Sequence, residues 1–499
     1  MRLCGKMSGP GEHFDRQTEV TPVNTADKIR RSVAGGAFDK IMNYLEKDPE
    51  KNLVKIVDTA SKLLGGVFPA RTFANFKRAV RDPENVWTRF ALSIIRDTDR
   101  DVLKKMVLAG GLGAAYTGTK AVRENREKYK CNIPFQILLD PTSACNLNCV
   151  GCWSAQYGNK HSLSYEELDS IVSQGVAMGT HFYMFTGGEP LMKKADILKL
   201  CHAHQDCVFL SYTNGTLVDQ VFCEKMNAAG NLALALSLEG RQTANDARRG
   251  AGNFERVMAA MELLKKNRCL FGVSVCYTSE NIEDATSDAF IDLLLAKGAK
   301  FALYFNYMPV GSGANEELIP TCAQRKHIYG WTKKMRDEKT GKPIFIMDFQ
   351  GDGEYVGGCI AAGRNYFHIN SAGDIEPCVF IHYSDSNIRT HTLIEALRNP
   401  LFQEFYHAQP FNDNHLRPCP MLENPEILRG IIARTGAKST NLLDEEDVET
   451  LCSKCDKFAA QWAVEGQQLW ESRPHPNPKT QYYRDTPEGR AEAAAKNIG

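Results

Sequence analysis

The chain has 499 residues, 60 basic and 60 acidic, with 43% hydrophobic residues and 16 cysteines. That length admits two or three domains and a large core, while the cancelled charge gives no reason to expect nucleic acid or an anionic membrane surface as a partner. Sixteen thiols in a chain this long do not read as a small secreted disulfide framework.

The opening stretch MRLCGKMSGPGEHFDRQTEV is polar and lacks the apolar core of a signal peptide, so residues 1–20 read as a disordered lead. Residues 21–132 read as a helical region, with apolar positions recurring at three and four and breaks at Gly65, Gly66 and Pro69. Within it, Met106 to Tyr116 is apolar, rich in small residues and preceded by Lys104 and Lys105. The run is too short to span a bilayer. It reads either as a helix docked on the rest of the protein or as a surface that meets lipid or a greasy substrate.

From Phe135 strands and helices alternate. Strands are expected at FQILLDPT, HFYMFT, CVFLSYT, LALALSL, LFGVSVCYT and KFALYFNYM, and the helix after Ser164 opens with a capping box completed by Glu167. Parallel strands with right-handed crossovers follow. Six units over residues 133–315 are too few for a closed barrel of eight, so the fold class is α/β, a partial (β/α)6 TIM-like barrel. In such sheets ligands sit at the carboxyl ends of the strands, and CNLNCVGC lies just after the first one.

That motif places thiols at Cys145, Cys149 and Cys152. Three soft thiolates suit iron bound to inorganic sulfide, and a cubane of four irons held by three cysteines keeps one iron open to a small molecule. A zinc site is the alternative. The second strand ends in TGGEP, where Gly187 and Gly188 permit close backbone approach to a ligand and Glu189 offers a carboxylate to an ammonium.

Three residues and then two between the cysteines, followed one strand later by GGEP, resemble the radical S-adenosylmethionine (SAM) superfamily. The resemblance implies an open barrel and a [4Fe–4S] cluster whose free iron is chelated by SAM. It also implies reductive cleavage of SAM to a 5'-deoxyadenosyl radical for hydrogen abstraction, with an electron donor such as ferredoxin or flavodoxin. The GGEP loop would hold the SAM amino group. In SLEGRQTANDARRG, Ser237 and Arg249 match positions that contact SAM, and the guanidinium suits a carboxylate. Met308 to Val310 match a level that carries backbone contacts to adenine. Three positions depart from the family: Gly151 stands where an aromatic residue usually precedes the third cysteine, Glu239 replaces an aspartate, and Asn245 replaces a histidine.

After about residue 340 the alternation stops and thiols reappear as Cys359, Cys378, Cys419, Cys452 and Cys455. CIAAGRNYFHINSAGDIEPC reads as a hairpin turning at Ser371 to Asp374, and its layout resembles the opening of a SPASM or Twitch extension. Residues 340–460 are therefore expected to form a small cluster-binding domain with one auxiliary [4Fe–4S] cluster, structural zinc being the alternative. Residues 470–499 read as a polar tail. Cys201, Cys207, Cys223, Cys269 and Cys276 read as buried free thiols. The expected protein is a cytoplasmic radical SAM enzyme acting on a peptide or protein ahead of a lipid or small molecule, with peripheral lipid contact left open. Its rival is an iron–sulfur electron-transfer or binding protein that makes no radical, which would need neither GGEP nor Ser237 nor Arg249.

Overall fold

The computed structural model describes residues 25–63, 70–157, 160–311, 313–441, 443 and 445–473, so the lead over 1–20 and most of the tail over 470–499 lie outside the described residues. Six strands occupy the apolar runs read from the sequence: β1 Gln136–Leu139, β2 Phe182–Phe185, β3 Val208–Thr213, β4 Leu232–Ser237, β5 Phe271–Tyr277 and β6 Phe301–Asn306. Each pairs in parallel with the next. Covered on both faces, such strands read as continuous apolar runs, and all of β4 except Ser237 is buried. The crossover helices carry their own boundaries: the Ser164–Glu167 capping box opens Tyr165–Met178, and Gly179 closes it in a left-handed conformation.

The sheet does not end at the sixth strand, because the stretch after it adds three more. β7 Phe345–Asp348 pairs in parallel with β6, and β8 Tyr366–Ile369 pairs in parallel with β1. β9 Ile375–Glu376 returns antiparallel to β8 through the expected hairpin, giving the order β7-β6-β5-β4-β3-β2-β1-β8-β9. Continuing the sheet at both edges covers polar backbone that a six-stranded sheet would leave open. One hydrophobic core accordingly runs from Val122 through the barrel to Trp462.

The helical region comprises α1 Thr25–Leu45, α2 Pro49–Leu63, α3 Ala70–Val80, α4 Val86–Asp97, α5 Arg100–Val107 and α6 Thr119–Tyr129, with a π-helical segment, Leu108–Gly118, joining the last two. A small core of Met42, Leu45, Leu53, Val80 and Leu103 holds its outer part together. From α4 onward the chain forms a strap across the amino ends of the eight parallel strands. Val86 N donates to Glu338 O ahead of β7 at 3.0 Å, and Lys300 ahead of β6 pairs with Asp97 at 2.7 Å. Asp99 N donates to Arg268 O ahead of β5 at 2.8 Å. Lys105 Nζ donates to Ala228 O at 2.7 Å and Ala229 O at 3.1 Å ahead of β4, where a cation suits a helix carboxyl end. Gly110 faces Val208 of β3, Gly118 faces Gly179 ahead of β2, and Arg126 donates to Ile133 O and Arg364 O ahead of β1 and β8.

The small residues of the π-helical segment explain its docking. Ala109, Gly113, Ala114 and Gly118 are buried against the barrel, and a Cβ on Gly118 would come within 2.5 Å of Gly179 O. Val107 and Tyr116 face outward. The run Met106 to Tyr116 thus docks on the barrel, and no helix among the described residues is long and apolar enough to cross a membrane.

Candidate active site

The thiols Cys145, Cys149 and Cys152 lie in the loop after β1, at the carboxyl end of the sheet. Its neighbours hold this loop through backbone. Gly188 N donates to Thr142 O at 3.0 Å and Glu189 N to Ala144 O at 2.8 Å, so the two glycines serve a close approach between the β1 and β2 loops. A Cβ on Gly187 would meet Thr142 O at 2.7 Å. The Glu189 carboxylate is buried and accepts from Leu191 N at 2.9 Å, Thr213 Oγ1 at 2.7 Å and Asn214 N at 2.7 Å. It therefore locks the YTNG turn to the second strand, and Asn214 Nδ2 reaches Asn146 Oδ1 inside CNLNC at 2.8 Å.

The helix Gln242–Arg249 brings two arginines to the thiols, of which sequence reasoning singled out one. Arg248 Nη1 and Arg249 Nη2 both meet Glu239 Oε1 at 2.6 Å, and Arg249 Nη1 lies 3.9 Å from Cys149 Sγ. Glu239 is wholly buried and also accepts from Cys276 N at 2.8 Å. Burial opposes its ionisation, but the two guanidiniums outweigh burial and hold its carboxyl below the usual range. The adjacency of Arg248 to Arg249 was the available signal. Ser237 is half-buried at the end of β4.

Gly151 adopts φ +62°, and a Cβ there would sit 2.7 Å from Cε2 of Tyr307. The aromatic ring missing ahead of the third cysteine is thus replaced in space by Tyr307, one residue before the stretch Met308 to Val310. Gly311 closes over Cys152 O. Trp153 turns the other way and meets His368 edge-on at 5.9 Å, Phe380 at 6.3 Å and His382 at 6.0 Å. His368 lies between Glu376 at 2.6 Å and Asp140 at 2.9 Å, all three fully buried. Against the pull of burial, Asp140 and then Glu376 raise the pKa of His368 to about 10.

Of the five C-terminal cysteines, Cys359, Cys378 and Cys419 converge. Tyr366 lies in the field of all three, its hydroxyl 2.7 Å from Cys378 Sγ. Cys359 Sγ accepts from Ala361 N at 3.5 Å and Cys419 Sγ from Leu422 N at 3.3 Å. Cys452 and Cys455 are buried one turn apart on the helix Val448–Glu471, and apart from burial Arg429 and Asp456 act most strongly on Cys452 and Cys452 itself on Cys455.

The sequence pattern of the Radical SAM superfamily matches residues 139–290. The chain is 30% identical to the mycofactocin maturase MftC of Mycobacterium ulcerans over 309 residues, covering 58% of this chain and 82% of the relative. The chain belongs to the radical SAM superfamily. It is also 27% identical to an AdoMet-dependent heme synthase of Methanosarcina barkeri over 345 residues, covering 63% of this chain and 96% of that one. The structure of Streptococcus suis SuiB bound to precursor peptide SuiA shares the fold, with a TM-score of 0.51, 17% identity and coverage of 68% and 79%.

A radical SAM enzyme uses a [4Fe–4S] cluster and SAM, and the residues fit both. Tetrahedral zinc at about 2.3 Å from each thiolate would draw the sulfurs to about 3.8 Å apart. Among the described residues the only three-donor set within 4.8 Å is His181, Asp206 and Cys207, so neither thiol trio is gathered as a single ion would gather it. The wider settings suit a multi-iron core. Two half-buried guanidiniums share one buried carboxylate beside Cys149, and Arg248 Nε is itself buried without a hydrogen-bond partner. That surplus of positive charge suits an anionic cluster and a carboxylate ligand. Burial pushes the Cys145 thiol up to about 11 and Cys359 to about 12, so loading either trio expels protons.

Proposed function

We propose that this radical SAM enzyme modifies a peptide or protein. Cys145, Cys149 and Cys152 hold the catalytic cluster, and Gly187, Gly188, Ser237 and Arg249, with Arg248 behind them, form the SAM site. The single observation that carries the site is the meeting of Cys149 in the cysteine loop with Arg249, which shares the buried carboxylate of Glu239 with Arg248, at the carboxyl end of the sheet. Bound there, SAM supplies a 5'-deoxyadenosyl radical for hydrogen abstraction. The chain's own part is to orient. Glu239 fixes the arginine forks, Asn146 and Asn214 hold the cysteine loop, and Tyr307 places its ring against Gly151, next to Cys152 in the chain. Glu189 acts through the loop it locks.

Cys359, Cys378 and Cys419 hold an auxiliary cluster behind Trp153, and an external donor of ferredoxin or flavodoxin type supplies electrons. The peptide reading draws support from the maturase relative covered over most of its length. A small-molecule substrate is the second reading, favoured by the match along 96% of the heme synthase. Incubating reconstituted, reduced protein with SAM and short peptides encoded beside its gene separates them. A mass loss of about two hydrogens or more in one peptide, matched by 5'-deoxyadenosine, is expected; unchanged peptides alongside a modified porphyrin would transfer the assignment to the second reading.

A further inference from the structure

We propose that His181, Asp206 and Cys207 form a mononuclear metal site, suited to zinc, at the amino end of the barrel, far along the strands from the cysteine loop. Local register builds it. Phe182 of β2 pairs with Val208 of β3, so His181 and Cys207 stand side by side one residue ahead of paired positions, joined by Val208 N donating to His181 O at 2.9 Å. Asp206 completes the set. His181 Nδ1 lies 3.6 Å from Asp206 Oδ2 and 4.0 Å from Cys207 Sγ, and Cys207 Sγ lies 3.9 Å from Asp206 Oδ1. Around a tetrahedral zinc, with N and O at about 2.05 Å and S at about 2.3 Å, those separations are about 3.3–3.6 Å. The two short Asp206 distances belong to different carboxylate oxygens; with one oxygen as ligand the three donors lie within 4.8 Å of one another, so a turn of that carboxylate and an inward shift of up to about 1.5 Å make the site.

The donor types agree with zinc, which takes imidazole, thiolate and carboxylate together, and three protein donors leave a position for water. Water has a way in. Cys207 is fully buried, but the Asp206 side chain is 19% exposed. The neighbouring segment CHAHQDC also holds His204, which instead meets Asp169 at 2.8 Å. The consequence lies above the site. A Cβ on Gly118 would come within 3.0 Å of His181 Cδ2, so the π-helical segment rests on the proposed ligand. A bound ion orients His181 and clamps the strap where it crosses β2 and β3.

The test is metal analysis with zinc-edge X-ray absorption on the full chain, loaded with iron and then dialysed against zinc. About one zinc per chain, with one sulfur among otherwise nitrogen and oxygen neighbours, is expected. His181→Ala with Cys207→Ser should lose that zinc and keep the iron, and zinc should raise the melting temperature of the wild type only. Absence of retained zinc, or a shell of three or four sulfurs placing the ion on the cysteine trios, overturns the proposal. Because absorption is read on the wild type, a variant that fails to fold leaves the decision intact.

Discussion

The two ends of the barrel are built on opposite principles. At the carboxyl end, buried charges and polar loops converge on thiols: Arg248, Arg249, Glu239, and the Asp140–His368–Glu376 set. Such groups are costly to bury unless a ligand or partner answers them. At the amino end the strap satisfies strand and helix termini with lysine, arginine and backbone contacts and packs with glycine and alanine. One end stores reactivity and the other stores stability, so substitutions at the two ends should separate activity from folding.

The largest separation comes from replacing Cys145, Cys149 and Cys152 with Ala. Conversion of SAM to 5'-deoxyadenosine should vanish while the melting temperature of the apo protein stays within a few degrees of wild type. Residual cleavage of SAM by the triple variant would falsify the cluster assignment. Next, Cys359→Ala with Cys378→Ala should reduce iron from about eight to about four per chain with SAM cleavage still detectable. An unchanged iron content would remove the auxiliary cluster from the trio.

Gly118→Val tests the other end. The added side chain meets Gly179 O, and denaturant unfolding should show a loss of about 3 kcal/mol. SAM cleavage per folded molecule should be unaltered, and a variant as stable as wild type would mean the strap is loosely docked. Arg249→Ala should weaken SAM binding by about 1.5–3 kcal/mol, the range of a lost charge-assisted hydrogen bond. An unchanged dissociation constant would take Arg249 out of the SAM site.

The smallest expected effect is at Tyr366. Its hydroxyl lies 2.7 Å from Cys378 Sγ, and a hydrogen bond to a cluster sulfur raises its reduction potential. In Tyr366→Phe, electron paramagnetic resonance potentiometry should move the auxiliary midpoint to a more negative value and leave the catalytic one in place. Equal midpoints in the two proteins would assign the hydroxyl a packing role only.

What the sequence disclosed followed from locality. β1 to β6 are apolar runs bounded by glycine, serine and asparagine, and the cysteine loop and GGEP are contiguous motifs. β7 was hidden because FIMD is four residues long with Phe345 exposed. β8 was legible as a hairpin arm, but its partner β1 lies some 230 residues away, and nothing local announces such a pairing. The helices of the strap show in their periodicity, while their docking depends on residues as distant as Glu338 and Arg364. Tyr307 could not be found from the gap at Gly151, because its ring arrives from another strand. Glu239 read as a departure from a pattern and is the anion that orders both arginines.

The strap also sets the order in which the molecule can be finished on the ribosome. Val86 N donates to the carbonyl of Glu338, 252 residues later, and Arg126 to the carbonyl of Arg364, 238 residues later. At about 5–20 residues per second, the first of these partners emerges roughly 10–50 s after its mate. The buried Ala109 and Ala114 wait a shorter time, since Gly179 and Val208, against which their segment packs, lie about 60–100 residues on, and the glycines between them give the nascent segment little helical persistence of its own. The strap is thus begun early and completed only when the last parallel strands arrive.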